Sequence, residues 1–85
     1  MTMSAGDART ALTRLLRGIA PEIDLVGIDD DALLQDELEL DSIDFLNLVT
    51  RLSETTGVDV PERDYPELAT VGGFVAYLAR LDPSR

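Results

Sequence analysis

The chain has 85 residues, enough for one small domain, and carries 17 Asp and Glu against 7 basic residues for a formal net charge of −10. It contains no His, Cys, Trp or Lys, and every basic residue is Arg. That composition excludes Ser-His-Asp and Cys-His nucleophiles, zinc sites built on nitrogen or sulfur, lysine Schiff bases and disulfides, and the acidic excess argues against binding nucleic acid.

The first element is a helix from Ser4 to Ala20. Ala8, Leu12, Leu15, Leu16 and Ile19 recur at helical spacing, Ser4 and Asp7 suit its start, and Pro21 ends the pattern. A long loop, Pro21 to Leu40, follows without a sustained period. Ile23, Leu25, Val26 and Ile28 are its expected apolar anchors, and Asp30 to Leu34 is a candidate helical turn. The second long helix spans Asp41 to Thr56, with Ile43, Leu46, Val49 and Leu52 on one face and Phe45 and Leu48 widening it. Asp41 and Asp44 have capping-box spacing, and Gly57 ends the helix. Pro61 to Tyr65 makes a short helix that Pro66 stops. Thr70 caps a last helix from Val71 to Leu81, whose inward face is Val71, Phe74, Val75, Leu78 and Leu81. Gly72 and Gly73 weaken its first turn by up to about 1 kcal/mol each relative to Ala. Pro83 marks the tail.

The expected fold is all-α: a small four-helix bundle of three long helices and one short one, over a single domain of residues 1–85. A hydrophobic share of 45% argues for a packed domain over a disordered chain. No stretch approaches the roughly 20 apolar residues that span a bilayer, and the first ten residues show no signal-peptide pattern. A cytoplasmic monomer is expected.

Charge is unevenly placed. From Met1 to Pro21 one acid stands against three bases; from Glu22 to Asp44 ten acids stand with no base; from Phe45 to Arg85 six acids stand against four bases. The acidic block runs into the start of the second long helix, where Asp41-Ser42-Ile43-Asp44 stands. A serine there is ordinarily a helix-start residue. However, its hydroxyl lies at the end of a long loop, and the N–H groups and dipole of a helix start favour an attached phosphate. The chain supplies no base, so Ser42 reads as a site modified by another enzyme. Asp29, Asp30, Asp31 and Asp36 lack the spacing and glycine of a calcium loop, so only weak divalent-ion binding is expected there.

Leu40-Asp41-Ser42-Ile43-Asp44, Leu46, Leu48-Val49, Leu52, Gly57-Val58, Val60-Pro61, Ala69-Thr70-Val71 and Tyr77-Leu78 together resemble the acyl carrier protein family. The resemblance implies a bundle whose Ser42 receives the 4'-phosphopantetheine arm of coenzyme A, with acyl groups carried on the arm's thiol as thioesters. It implies that Asp41 helps recruit a phosphopantetheinyl transferase. It makes Asp41, Ile43, Asp44, Asn47, Arg51 and Glu54 the residues that partner enzymes read, among them a loading ligase and downstream transferases or synthases with basic patches. Phe45, Leu46, Val49, Leu68, Val71 and Tyr77 are candidates to line an acyl pocket. Such a carrier has no catalytic residues and no resident metal.

Two departures stand out. Glu39 replaces a glycine common in the family, which would alter the loop's turn. Asn47, Ser53 and Arg51 make the second long helix less acidic than in fatty-acid carriers. A specialised lipid, fatty-acid or polyketide pathway fits this better than housekeeping synthesis. The competing expectations are an aminoacyl or peptidyl carrier, or an unmodified acidic adaptor in which Ser42 only caps a helix.

Overall fold

The computed structural model describes residues 4–81; Pro83, read above as the tail, lies outside them. The elements are α1 (Ala5–Arg17), α2 (Leu34–Glu37), α3 (Ser42–Thr56), a 3₁₀ helix (Glu62–Leu68) and α4 (Val71–Arg80). The expected all-α bundle of three long helices and one short helix is therefore observed, with one further turn, α2, inside the long loop. Among the described residues there is no strand, only an isolated bridge between Leu33 and Thr70. No described helix is long and apolar enough to cross a membrane.

Ser4 caps α1, its hydroxyl accepting from the Asp7 N–H at 3.1 Å. The helix ends at Arg17 rather than Ala20. The N–H groups of Gly18 and Ile19 turn back to Leu15 and Leu16, three residues earlier, which tightens the chain before Pro21 is reached. Asp30 to Leu34 does not form a full helical turn. Asp30 and Asp31 make a single turn closed by Ala32 N–H to Asp29 O at 3.1 Å. The chain then lies along the start of α4, with Leu34 N–H donating to Ala69 O, Val71 N–H to Ala32 O and Gly72 N–H to Asp30 O. The helical turn forms one step later, as α2.

α1 packs most extensively on α4 and also on α3, and the 3₁₀ helix packs on α4. Ala8, Leu12, Leu15 and Leu16 of α1 meet Phe74, Tyr77 and Leu78 of α4 in one core, closed by Leu48, Val49 and Leu52 of α3. On α3 the inward stripe is Phe45, Leu48, Val49 and Leu52, at the i, i+3, i+4, i+7 spacing of one helix face. Ile43 and Leu46, expected on that face, are 69% and 48% exposed. On α4 Tyr77 is buried, while Val75 and Leu81 are only partly so. The 3₁₀ helix runs through Pro66 instead of stopping there, because proline's fixed φ lies within the 3₁₀ range.

The long loop is held down by arginines of α1. Arg9 donates from Nη2 to the carbonyl oxygens of Leu25 and Ile28, at 2.8 and 2.6 Å, and pairs with Asp30 through Nη1 at 2.8 Å. Arg17 Nε donates to Ile23 O at 2.9 Å. Ile23 and Leu25 anchor the loop in the core and Ile28 is partly buried. Val26, expected with them, is 85% exposed. Its N–H bonds to Asp24 Oδ1, and Gly27 at φ +83° turns the chain outward there.

Gly72 and Gly73 have a packing reason. A Cβ at Gly73 would collide with the Glu67 carbonyl oxygen, and one at Gly72 would stand 2.9 Å from Asp30 Cβ. The helix gives up propensity so that the 3₁₀ helix and the loop can lie against its first turn.

Candidate functional site

α2 and α3 meet at Leu38 to Asp41. Glu39 lies in the left-handed region at φ +54°, and the Leu40 N–H bonds back to Gln35 O at 3.0 Å. This is the six-to-one bond of a Schellman stop, with Glu39 in the position that favours glycine. The turn expected to change with Glu39 is thus the left-handed one that glycine adopts. It buries Leu40 and brings Asp41 to the head of α3.

Asp41 is the N-cap. Its Oδ1 accepts from the Asp44 N–H at 2.8 Å, and Asp44 Oδ2 accepts from the Asp41 N–H at 3.4 Å, which completes the expected capping box. Ser42 is the first helical residue and is exposed. Among the described residues, the N–H groups of Ser42 and Ile43 find no acceptor. The start of α4 is different: Val71, Gly72, Gly73 and Phe74 donate to Ala32 O, Asp30 O, Thr70 Oγ1 and Thr70 O, so all four of its leading N–H groups are satisfied. Of these two helix starts, α3 keeps donors and a hydroxyl facing solvent. A phosphodiester on Ser42 would sit beside these donors, at the positive end of the helix dipole.

Of the six residues expected to face partners, Asp44, Asn47, Arg51 and Glu54 line one groove of about 420 Å³, with Gly18, Ile19 and Thr50. Asp41 and Ile43 are exposed but do not line it. Asp44, Asn47, Arg51 and Glu54 recur at i, i+3, i+7 and i+10, a single stripe along α3. Its charge order is minus, neutral, plus, minus.

Of the six pocket candidates, Val49, Leu68, Val71 and Tyr77 are buried in the core and Phe45 packs against it. Leu46 stands outside that cluster, half exposed. Two residues absent from the sequence expectation organise this side. The Phe45 ring meets Tyr65 edge-on, centroids 6.0 Å apart, and Asp64 accepts a hydrogen bond from the Tyr77 hydroxyl at 2.8 Å. Burial pushes the Tyr77 hydroxyl above its ordinary pKa, the bond to Asp64 and the carboxylates of Asp64 and Glu67 add to this, and Arg80 opposes it. The spacing of Asp64 and Tyr77, on separate elements, gave no sequence signal for this pair.

Among the described residues no three carboxylates gather to hold a cation. Of Asp29, Asp30, Asp31 and Asp36, where weak ion binding is expected, Asp30 is paired with Arg9.

Residues 10–78 match the family described as "Phosphopantetheine attachment site". The chain is similar to an acyl carrier protein of Lactobacillus johnsonii, 43% identical over 56 residues that cover 66% of this chain and 70% of the relative. It is also similar to an acyl carrier protein of Renibacterium salmoninarum, 36% identical over 62 residues, 73% of this chain and 72% of the relative.

Proposed function

The chain belongs to the acyl carrier protein family, whose members carry covalently attached 4'-phosphopantetheine, and on that premise we propose that Ser42 is the attachment point and that the loaded chain carries acyl thioesters in a specialised lipid, fatty-acid or polyketide pathway. The observation that carries this is the head of α3: an exposed hydroxyl beside two N–H groups without acceptors. The arm supplies the thiol that this cysteine-free chain lacks.

Ser42 Oγ forms the new bond to phosphorus as the pyrophosphate link of coenzyme A breaks and the nucleotide half leaves. In this reading the hydroxyl proton passes to a base on the transferase. Asp41 uses one carboxylate oxygen to cap α3, and the exposed carboxylate offers the other to the transferase and its metal. Carriers of this family act with a phosphopantetheinyl transferase and acyl-handling enzymes, and work as carriers rather than catalysts. Tethering raises the effective concentration of cargo at those partners. The mixed charge of the α3 stripe supports a specialised partner over one that reads a line of carboxylates, and a cytoplasmic location accompanies the reading.

Intact-protein mass after incubation with coenzyme A, magnesium and a broad-range transferase tests the assignment. A gain of one phosphopantetheine in the parent and none in Ser42→Ala is expected. No gain across several transferases would leave Ser42 an ordinary first-turn residue behind the Asp41 cap, rather than the cap itself, and favour an unmodified adaptor. Cargo mass on the loaded arm separates acyl from aminoacyl or peptidyl use.

A further inference from the structure

Among the described residues three arginines, Arg14, Arg51 and Arg63, stand without an ion pair or a side-chain hydrogen bond in a chain rich in acids, and two of them share a groove. Among the described residues only Arg9 and Arg80 form ion pairs, with Asp30 and Glu67. Arg14 and Arg51 make neither an ion pair nor a hydrogen bond there, although Arg51 has Glu54 three residues on, within helical reach. Both line a second groove, of about 290 Å³, between α1, the end of α3 and α4. Its floor is apolar, with Ala11, Leu15 and Leu78, and no carboxylate lines it. The Arg51 guanidinium lies against Gly18, where an added Cβ would overlap Cζ, Nε and Nη2. Arg51 also lines the neighbouring groove that holds Asp44 and Glu54. The two grooves therefore meet at Arg51 and follow α3 from Asp44 to Thr56, a path of about 20 Å at 1.5 Å per residue. That length suits a macromolecular segment better than a small carboxylate.

We propose that this face is a docking surface for a partner protein segment of divided chemistry: a carboxylate between Arg14 and Arg51, an apolar side chain over Leu15 and Leu78, and a basic group towards Asp44 and Glu54. An unpaired guanidinium pair above an apolar floor rewards an acid that arrives with its own apolar neighbour, since the pair is desolvated as the floor is covered. The surface deepens the carrier reading by naming a partner chemistry for the same helix. Its test uses the unmodified chain, so it can fail while Ser42 attachment holds, and the reverse.

The probe is a synthetic amphipathic helix of about fifteen residues, with leucine beside glutamate at one end and lysine at the other. Titrated into isotope-labelled protein, it should shift the amide resonances of Ala11, Leu15, Arg51, Thr55 and Leu78. Affinity should fall about tenfold for the Arg14→Gln/Arg51→Gln double variant, and by as much for a probe with lysine in place of glutamate. Both arginines are exposed, and an unchanged melting temperature shows that the variant is folded. No binding at millimolar probe, shifts centred elsewhere, or affinity indifferent to both changes would overturn the proposal. So would dodecanoate matching the probe's affinity at the same resonances, which would make the groove a small-ligand site.

Discussion

The hydroxyl of Tyr77 donates to Asp64 Oδ2 at 2.8 Å and so ties α4 to the 3₁₀ helix. Only the neutral phenol can donate, and the folded-state pKa lies above the ordinary value of 10.0. The unfolded chain therefore releases this proton first as pH rises. The contribution is whole below pH 10.0 and is lost as pH climbs from there through the raised folded value. Tyr77→Phe should lower stability by about 1 kcal/mol at neutral pH and flatten the loss above pH 10. Denaturant unfolding of both proteins across pH 7 to 11 measures this; parallel curves would remove Tyr77 as the source.

Arg9 holds two loop carbonyls and one carboxylate with a single guanidinium. A lysine has the charge but not the planar fork, so it cannot reproduce that set. Arg9→Lys should cost on the order of 2 kcal/mol, nearly as much as Arg9→Met. The effect should appear as faster amide exchange at residues 23–30 before global unfolding does. Full rescue by lysine would mean that charge alone, not the fork, restrains the loop.

The helix caps and long helices were legible because their signals are local. Ser4, Asp41 with Asp44, Gly57 and Thr70 each act within four residues of themselves, and each sits where spacing put it. What spacing missed depends on contacts far along the chain. Ile43 and Leu46 share an apolar look with Val49, but only the seat of α1 on α3 decides which side is inward. The same holds for Val26, turned outward by Asp24 and Gly27, and for the Arg9 clamp, which reads in sequence only as positive charge. At the candidate site, Asp41 and Ser42 were legible; Tyr65 and Asp64, which order the neighbouring side, were not.

Glu39 occupies a left-handed conformation at φ +54°, which costs an L-residue roughly 1–2 kcal/mol. Glycine removes that strain but adds backbone entropy to the unfolded chain, worth about 0.5–1 kcal/mol the other way. Glu39→Gly should therefore raise stability by about 0.5–1 kcal/mol, a few degrees in melting temperature for a chain of this size. A lower melting temperature would indicate that the carboxylate contributes something beyond this turn.

Asp41 has two roles that substitutions can separate. Capping needs only an acceptor oxygen on a short side chain, and the Asp44 N–H is that acceptor's donor. Asparagine supplies such an oxygen and ranks with aspartate as a cap; alanine does not. Asp41→Ala should therefore cost about 1 kcal/mol of stability, whereas Asp41→Asn should leave the melting temperature almost unchanged. Recruiting a transferase through its metal needs the negative charge, which both variants lack. Phosphopantetheine transfer to Ser42 should slow in both, with the loss in Asp41→Asn read as rate at a constant fold. Melting curves and initial rates of mass gain on the same samples give both quantities. If Asp41→Asn is modified at the parent rate, Asp41 is a cap alone, and the transferase reads the site through other residues.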